Sequence, residues 1–570
     1  MKRFLTGIMV CALGTAGAQT ANWNSVFMPS YPFIDTSSAV FQIDNKNDIK
    51  PLITKLQYAN KKKVTILHIG DSHVQADVFT GKLRDYLGST FGRAGRGFVF
   101  PYSTAKTHTA IDYRSLHTGK WLYAKNVERS PELPLGVMGV TSKTYDSKAQ
   151  FKLIFNKESI QTDYRKLRVF CNRGPQSFDF KLITKSDTQK IDVYQNPIDS
   201  TTDEIVITLK NAETAFTFDF MKRDSSQESF EIYGISIESD QDKGILYHSV
   251  GINGAGHYAV MRENLLADHL YLIKPDAIVL DIGANDFYTK GLNIEEFKNN
   301  LTSLIQHFRE HAPKAIIILS NSQDIFRGKY HLPECASFSK IVSEISHQEK
   351  VAYFDWYRVA GGYKSMTHWK AFGLANRDGV HLNRDGYDLK GKLYYLAFKN
   401  TYLKVLRKDT AVGIHIPHND TFDQLKIDTV RKIEDLSQYQ WIFHTVQRGE
   451  TVWTIANKYQ VSALQIKNWN HLRSFSLTRN KRLKVLVKKE EGEELVDKRN
   501  TQTVEVDTRI IPQQNPTLKS HKGKYKVHKV KRGDTLFSIA RRYGATVSEI
   551  QQLNHLHGNN IRLGQKIKIP

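Results

Sequence analysis

Three features of the sequence predict an α/β protein. It has a parallel sheet covered by helices on both faces, a β-sandwich inserted into that layer structure, and two small modules at the C-terminal end. The first feature is alternation. Residues 63–69 form an apolar strand, followed by a helical pattern through Leu83 and Leu87. Residues 246–250 read as another strand. Then 276–282 (strand), 295–311 (helix), 315–319 (strand), 334–349 (helix) and 351–355 (strand) keep the rhythm. Parallel strands need crossovers, and crossover helices cover both sheet faces, giving three α/β/α layers. The second feature is a change of rhythm between about Pro101 and Ser239. Residues 151–155, 167–171, 178–183, 204–209, 216–220 and 231–238 are short alternating strands separated by turn residues. That is the pattern of a β-sandwich.

The third feature is an internal repeat. His444-Thr445-Val446-Gln447-Arg448-Gly449-Glu450-Thr451 matches His528-Lys529-Val530-Lys531-Arg532-Gly533-Asp534-Thr535. The same offset then pairs Ile455 with Ile539, Ala456 with Ala540, Tyr459 with Tyr543, Ile466 with Ile550, Asn470 with Asn554 and Leu472 with Leu556. Each copy reads as strand, helix, helix, strand. Thr451 and Thr535 are the candidate N-caps, and an apolar stripe runs through 452, 455, 456 and 459. A polar stretch over 488–524 separates the copies as a flexible linker.

Length and composition fit several domains. The chain has 570 residues, of which 40% are hydrophobic and 24% charged, with a net charge of +23. A sizeable core can be buried, and wholesale disorder is excluded. The three cysteines, Cys11, Cys171 and Cys335, exclude a disulfide-stapled scaffold and a four-cysteine zinc site. Cys171 and Cys335 fall in different modules and are expected to be free thiols. Lys2 and Arg3, an apolar run of about ten residues and Ala16-Gly17-Ala18 read as an export signal cleaved after Ala18. No later stretch is apolar enough to span a membrane, so the mature protein is expected to be exported, without a transmembrane segment. From Trp441 to Pro570 there are 25 Lys and Arg against 10 Asp and Glu. For an exported chain that surplus points to envelope polymers and not to nucleic acid. The expected boundaries are a signal peptide over 1–18, an α/β domain over 19–100 and 246–405, and the sandwich over 101–245. Linkers are expected over 406–440 and 488–525, and the repeats over 441–487 and 526–570.

The repeats resemble the LysM family of small βααβ modules. The resemblance rests on V-x-x-G-[DE]-T-[LV]-x-x-I-A-x-x-[YF]…I…N, present twice. It implies binding to the N-acetylglucosamine backbone of peptidoglycan or chitin. The second copy ends with the family's closing turn at Leu563-Gly564-Gln565. The first has Arg479-Asn480-Lys481 there, a departure that leaves its last turn and its ligand affinity open.

Three separated motifs carry chemistry. Gly70-Asp71-Ser72 follows a strand and precedes a helix, which puts the serine on the C-terminal rim of the sheet. Asp281-Ile282-Gly283-Ala284-Asn285-Asp286 ends another strand, where an Asn can aim its amide at a developing oxyanion. In Asp378-Gly379-Val380-His381 the spacing lets the carboxylate reach one imidazole nitrogen while the other faces the serine. Gly251-Ile252-Asn253-Gly254 is a glycine turn with a possible further N–H donor. Together these resemble the SGNH (GDSL-like) hydrolase family, in the family's own order. The resemblance implies Ser72 as nucleophile, His381 as general base oriented by Asp378, and an oxyanion hole from the Ser72 N–H, Gly254 and Asn285. Gly251 and Gly256 are alternatives to Gly254. His73 is expected to shape the pocket rim. His307-Phe308-Arg309-Glu310-His311 spells a zinc-peptidase motif, but it lies at the end of an amphipathic helix and reads as a solvated face. The resemblance implies no metal, nucleotide or other cofactor.

The Gly-Asp-Ser-His start, with a sandwich inserted before the second block, is similar to the peptidoglycan O-acetylesterases of the family. That implies an exported esterase acting on an acetylated cell-wall glycan. An esterase or acetyltransferase for another acylated polysaccharide, and a non-catalytic peptidoglycan-binding scaffold, stay open as alternatives.

Overall fold

A computed structural model describes Trp23, residues 31–195, 203–288 and 291–406, most of 439–488, and scattered positions between 526 and 569. The expected signal peptide, Cys11, Thr535 and nearly all of both linkers lie outside the described residues.

The central sheet has five strands: β1 (Lys63–Gly70), β2 (Gly244–Gly251), β3 (Ala277–Asp281), β4 (Ile316–Ser320) and β5 (Ala352–Phe354). Their spatial order is β2-β1-β3-β4-β5, and every neighbouring pair is parallel. Successive residues of β1 face opposite cores. Val64 and Ile66 pack with helices Phe79–Phe91 and Arg384–Leu406, whereas Leu67 and Ile69 face the side holding Leu301, Leu304 and Phe338. Burial on both faces is why β1 reads as a continuous apolar run. The chain leaves β1 for β2 at the edge and then crosses back to β3. The β1/β3 crevice is therefore the topological switch point, where open α/β sheets bind ligands.

The segment between β1 and β2 folds into two antiparallel sheets packed face to face. One has the order Glu204–Thr208, Lys166–Cys171, Phe230–Glu238, Val140–Thr144, Leu122–Lys125. The other has the order Tyr113–Thr118, Gln150–Phe155, Ala215–Met221, Asp179–Ile183, Thr188–Ile191. Phe151, Phe180, Phe218 and Phe230 fill the space between them, with Phe151 and Phe218 stacked at 4.4 Å. The first sheet also takes up Gly95–Val99, ahead of the expected start at 101, because this strand pairs with Phe230–Glu238. Its backbone also lies against β2: a Cβ at Gly97 would stand 2.4 Å from Tyr247 O. Cys171 and Cys335 are buried free thiols.

In the first repeat, Tyr439–Thr445 pairs antiparallel with Arg482–Lys488 over a core of Val452, Ile455, Ile466, Leu483 and Val485. Thr451 Oγ1 accepts the Thr454 N–H at 3.2 Å, as an N-cap should. At the described positions of this departure, Asn480 and Lys481, the backbone of the closing turn is kept. Asn480 takes φ +64° and Gly564, its counterpart, φ +84°. Asn480 N–H donates to Val446 O at 2.9 Å and Gly564 N–H to Val530 O at 2.8 Å. Asparagine tolerates the left-handed region better than other non-glycine residues, so the substitution preserves the turn. The described residues of the second repeat keep the same internal bonds. Asn554 holds Ile550 and Lys568 as Asn470 holds Ile466 and Lys484. The first repeat is not free of the α/β domain. Trp469 donates to Ala371 O at 2.9 Å, and Trp441, Trp469 and Leu486 pack against the core beneath Arg384–Leu406. No helix among the described residues is long and apolar enough to cross a membrane.

Candidate active site

Three strands stop together. Gly70 lies opposite Gly251 of β2 on one side and Asp281 of β3 on the other. The segments that follow them, Asp71-Ser72, Ile252-Gly254 and Ile282-Asn285, therefore leave the same rim side by side. Only glycine fits at Gly70, where a Cβ would stand 2.1 Å from Val74 Cγ2. Asp71 turns the chain into a short helix, Ser72–Gln75, and caps it by accepting the His73 N–H at 2.9 Å. Ser72 is thus the first helical residue, and its N–H has no partner within the helix.

The loop bearing Asp378 and His381 is closed by an Ala375–Leu382 bridge and by bonds from Asn376 N–H to His381 O (2.9 Å) and from Phe326 N–H to Gly379 O (2.8 Å). Asp378 Oδ1 accepts the main-chain N–H groups of Val380 and His381 at 2.9 and 3.0 Å. Its Oδ2 accepts from His381 Nδ1 at 2.9 Å. Burial opposes ionisation of Asp378, but these bonds together hold it below the usual carboxylate range. With the proton on Nδ1, His381 Nε2 is the accepting nitrogen, and it lies 2.9 Å from Ser72 Oγ. A carboxylate, an imidazole and a hydroxyl joined in this order can transfer the hydroxyl proton as the oxygen attacks an acyl carbon.

Asn285 lies on the same rim. Its side-chain amide donates to Ala255 O at 3.1 Å and to Asp71 Oδ2 at 3.2 Å. Of the three candidate glycines, only Gly254 has a positive φ (+85°), and a Cβ there would meet only Val127 at 3.8 Å. Gly251 is the last residue of β2, and Gly256 is pressed against Asp286. Asp286 locks the two rim segments together, accepting the His257 main-chain N–H at 3.0 Å and lying 2.9 Å from its Nδ1.

His73 is buried beside the serine, with its ring 5.1 Å from that of His381 and its Nδ1 2.8 Å from Tyr387 OH. Burial, and then the charges of Lys390 and His381, hold it well below the usual histidine range, so it is a neutral wall. Burial pushes the Asp71 carboxyl up to about 7, against the His73 N–H bond that favours its ionised form. Behind it, Asp281 is held ionised. Burial opposes this, but Lys390 Nζ at 2.9 Å outweighs it, and Tyr394 OH adds a bond at 2.9 Å. Sequence reasoning missed Lys390, His257 and Tyr387, which follow the motifs closely along the chain but belong to none of them. The rings of His307 and His311 lie 4.5 Å apart, tilted by 56°, at the C-terminal end of Ile294–His311.

Comparison with known proteins fits this geometry. Residues 238–389 match the GDSL-like lipase/acylhydrolase family, and 444–485 and 528–570 each match the LysM domain. The chain therefore carries a GDSL-like hydrolase domain and two LysM domains. The matched hydrolase segment contains Gly254, Asn285, Asp378 and His381, while Ser72 precedes it. Over 126 residues the chain is 34% identical to the N-acetylmuramoyl-L-alanine amidase sle1 of Staphylococcus aureus. That stretch covers 22% of this chain and 32% of the relative, so the chain spans about a third of the length of the curated relatives it matches. Among solved structures, a peptidoglycan O-acetylesterase superposes with a TM-score of 0.53 at 20% identity, covering 64% of this chain and 99% of that one. At that identity the likeness is one of fold.

Proposed function

We propose that the protein is a serine esterase of the cell envelope that removes O-acetyl groups from a cell-wall glycan, O-acetylated peptidoglycan first among them. The observation that carries this reading is the chain Asp378 Oδ2, His381 Nδ1, His381 Nε2, Ser72 Oγ, with both links at 2.9 Å. Ser72 Oγ attacks the acetyl carbonyl carbon while His381 Nε2 takes its proton. The oxyanion that forms is met by the Ser72 N–H, the Gly254 N–H and the Asn285 amide. Collapse breaks the bond to the sugar oxygen, which leaves with the proton from His381. Water, deprotonated by the same imidazole, then attacks the acetyl-serine, and acetate and free Ser72 result.

The substrate class is supported by the LysM domains, which bring the esterase to glycan strands and raise its local concentration there. The amidase relative and the O-acetylesterase structural neighbour are both named for peptidoglycan chemistry, which supports the same choice. An N-terminal export signal would place the enzyme with this substrate. The test is acetate release from O-acetylated peptidoglycan compared with the chemically deacetylated polymer. Release from the first alone is expected. No release from either, with a chromogenic acetate ester still hydrolysed, moves the substrate to another acylated polysaccharide. No hydrolysis of any ester leaves a binding scaffold.

A further inference from the structure

The inserted sandwich is joined to the serine's own helix. Gln75, three residues after Ser72 and buried, donates through Nε2 to Thr107 Oγ1 and to His108 O, both at 3.0 Å. Ile111 N–H adds a main-chain bond to Ala76 O at 3.0 Å. The Gln75 Oε1 accepts the Asn253 N–H at 2.7 Å, one residue before Gly254. One buried amide thus ties the Ser72 helix, the first loop of the insertion and the Gly251–Gly254 turn into a single rim.

His108 is exposed on that rim, with its Nδ1 3.2 Å from Asn253 Nδ2. An amide nitrogen only donates, so Nδ1 accepts and the proton of the neutral ring sits on Nε2. Burial, and then the charge of His381, holds His108 below the usual histidine range, which keeps the ring neutral near pH 7. The pair therefore presents the His108 Nε2–H and the second Asn253 amide N–H as donors and Asn253 Oδ1 as an acceptor, on segments that Gln75 joins to the serine's helix.

We infer that His108 and Asn253 form a glycan subsite at the active-site rim, hydrogen-bonding the hydroxyl or acetamido groups of the sugar that carries the ester. An acetyl group is small, and its carbonyl is read by the oxyanion donors alone. Discrimination between a glycan ester and a simple ester must come from contacts on the alcohol side. Sugars offer donors and acceptors on adjacent carbons, which a paired donor and acceptor match. The insertion is then part of the substrate site, and not only an appended module. The inference rests on the proposed esterase reading.

The test compares soluble O-acetylated muropeptides with p-nitrophenyl acetate, in wild type and in His108→Ala, His108→Gln and Asn253→Ala, each checked for unchanged melting. The ratio of kcat/KM on the muropeptide to that on the chromogenic ester should fall about tenfold in His108→Ala, the loss of one hydrogen bond of ordinary strength. It should fall similarly in Asn253→Ala. His108→Gln, which restores an N–H donor, should recover part of it. A ratio within twofold of wild type in both alanine variants overturns the subsite and leaves the esterase reading intact. Wild-type protein that hydrolyses the chromogenic ester but not the muropeptide overturns the peptidoglycan reading and the subsite together.

Discussion

The side-chain amide of Asn285 is held by the carboxyl group of Asp71, the residue just before the candidate nucleophile, at 3.2 Å. Two strands whose ends lie in register at Gly70 and Asp281 deliver this pair, and Ala255 O takes the same amide nitrogen at 3.1 Å. The amide is thus held in place before substrate arrives, with both of its N–H protons engaged. One of these two bonds is exchanged for the oxyanion when charge develops next to it, and the fixed position of the amide limits the reorganisation this costs.

Asn285→Ala should therefore act on the chemical step. Loss of one oxyanion donor is expected to lower kcat by on the order of 10²–10³ with little change in KM. Steady-state kinetics on a chromogenic acetate ester checks this. A change confined to KM would make Asn285 a substrate-binding residue.

Asp71 should make stability fall with rising pH. Its carboxyl is pushed up to about 7 in the folded protein by burial, while an unfolded chain releases that proton near 4. The folded state therefore binds the extra proton between about pH 4 and 7, and stability drains away as pH rises through that window. Asp71→Asn removes the titration. Its unfolding free energy relative to wild type should rise between pH 5 and pH 8 by up to about 2.6 kcal/mol. An offset that stays constant across that range would contradict the assignment.

Much of this site was legible because its motifs lie where a strand ends, and strand ends are marked in sequence by apolar runs stopping at glycine. Ser72 and Asn285 carry such signals, whereas Asp378 and His381 lie on a loop and were legible from their three-residue spacing. Helix Arg384–Leu406 was not legible. Tyr387, Lys390, Gly391, Tyr394, Tyr395 and Thr401 are buried along it, which blurs the apolar periodicity that marks a helix. Lys390 in particular reads as a solvent residue until Asp281, far away along the chain, is seen beside it. The strands Leu122–Lys125 and Thr188–Ile191 lie at sheet edges, bury only Ala124 and Ile191, and at four residues are too short to show a clear alternation. At Asn480 the residue differs from the family's glycine, while the backbone conformation it serves does not.

The C-terminal modules should separate targeting from chemistry. Removing the unit 503–570 should leave turnover of a small acetate ester and the melting temperature nearly unchanged, while weakening pull-down by insoluble peptidoglycan. Removing 441–570 should also lower the melting temperature, because Trp441, Trp469 and Leu486 leave an apolar surface behind. Binding by charge alone should fade in 1 M salt, where screening shortens to about 3 Å, and sugar recognition should persist. Wall binding that vanishes in 1 M salt, or that chito-oligosaccharides fail to displace, would reduce the tail to an electrostatic anchor.

The most direct measurement is the rate at which folded Ser72→Ala protein releases acetate, set against wild type on the same ester. Ser72 Oγ is the one hydroxyl bonded to His381 Nε2 among the described residues, at 2.9 Å. Its loss removes the covalent route and leaves only binding and oxyanion stabilisation. The account predicts a fall of about 10³-fold or more with the melting temperature preserved. Activity within tenfold of wild type would contradict it.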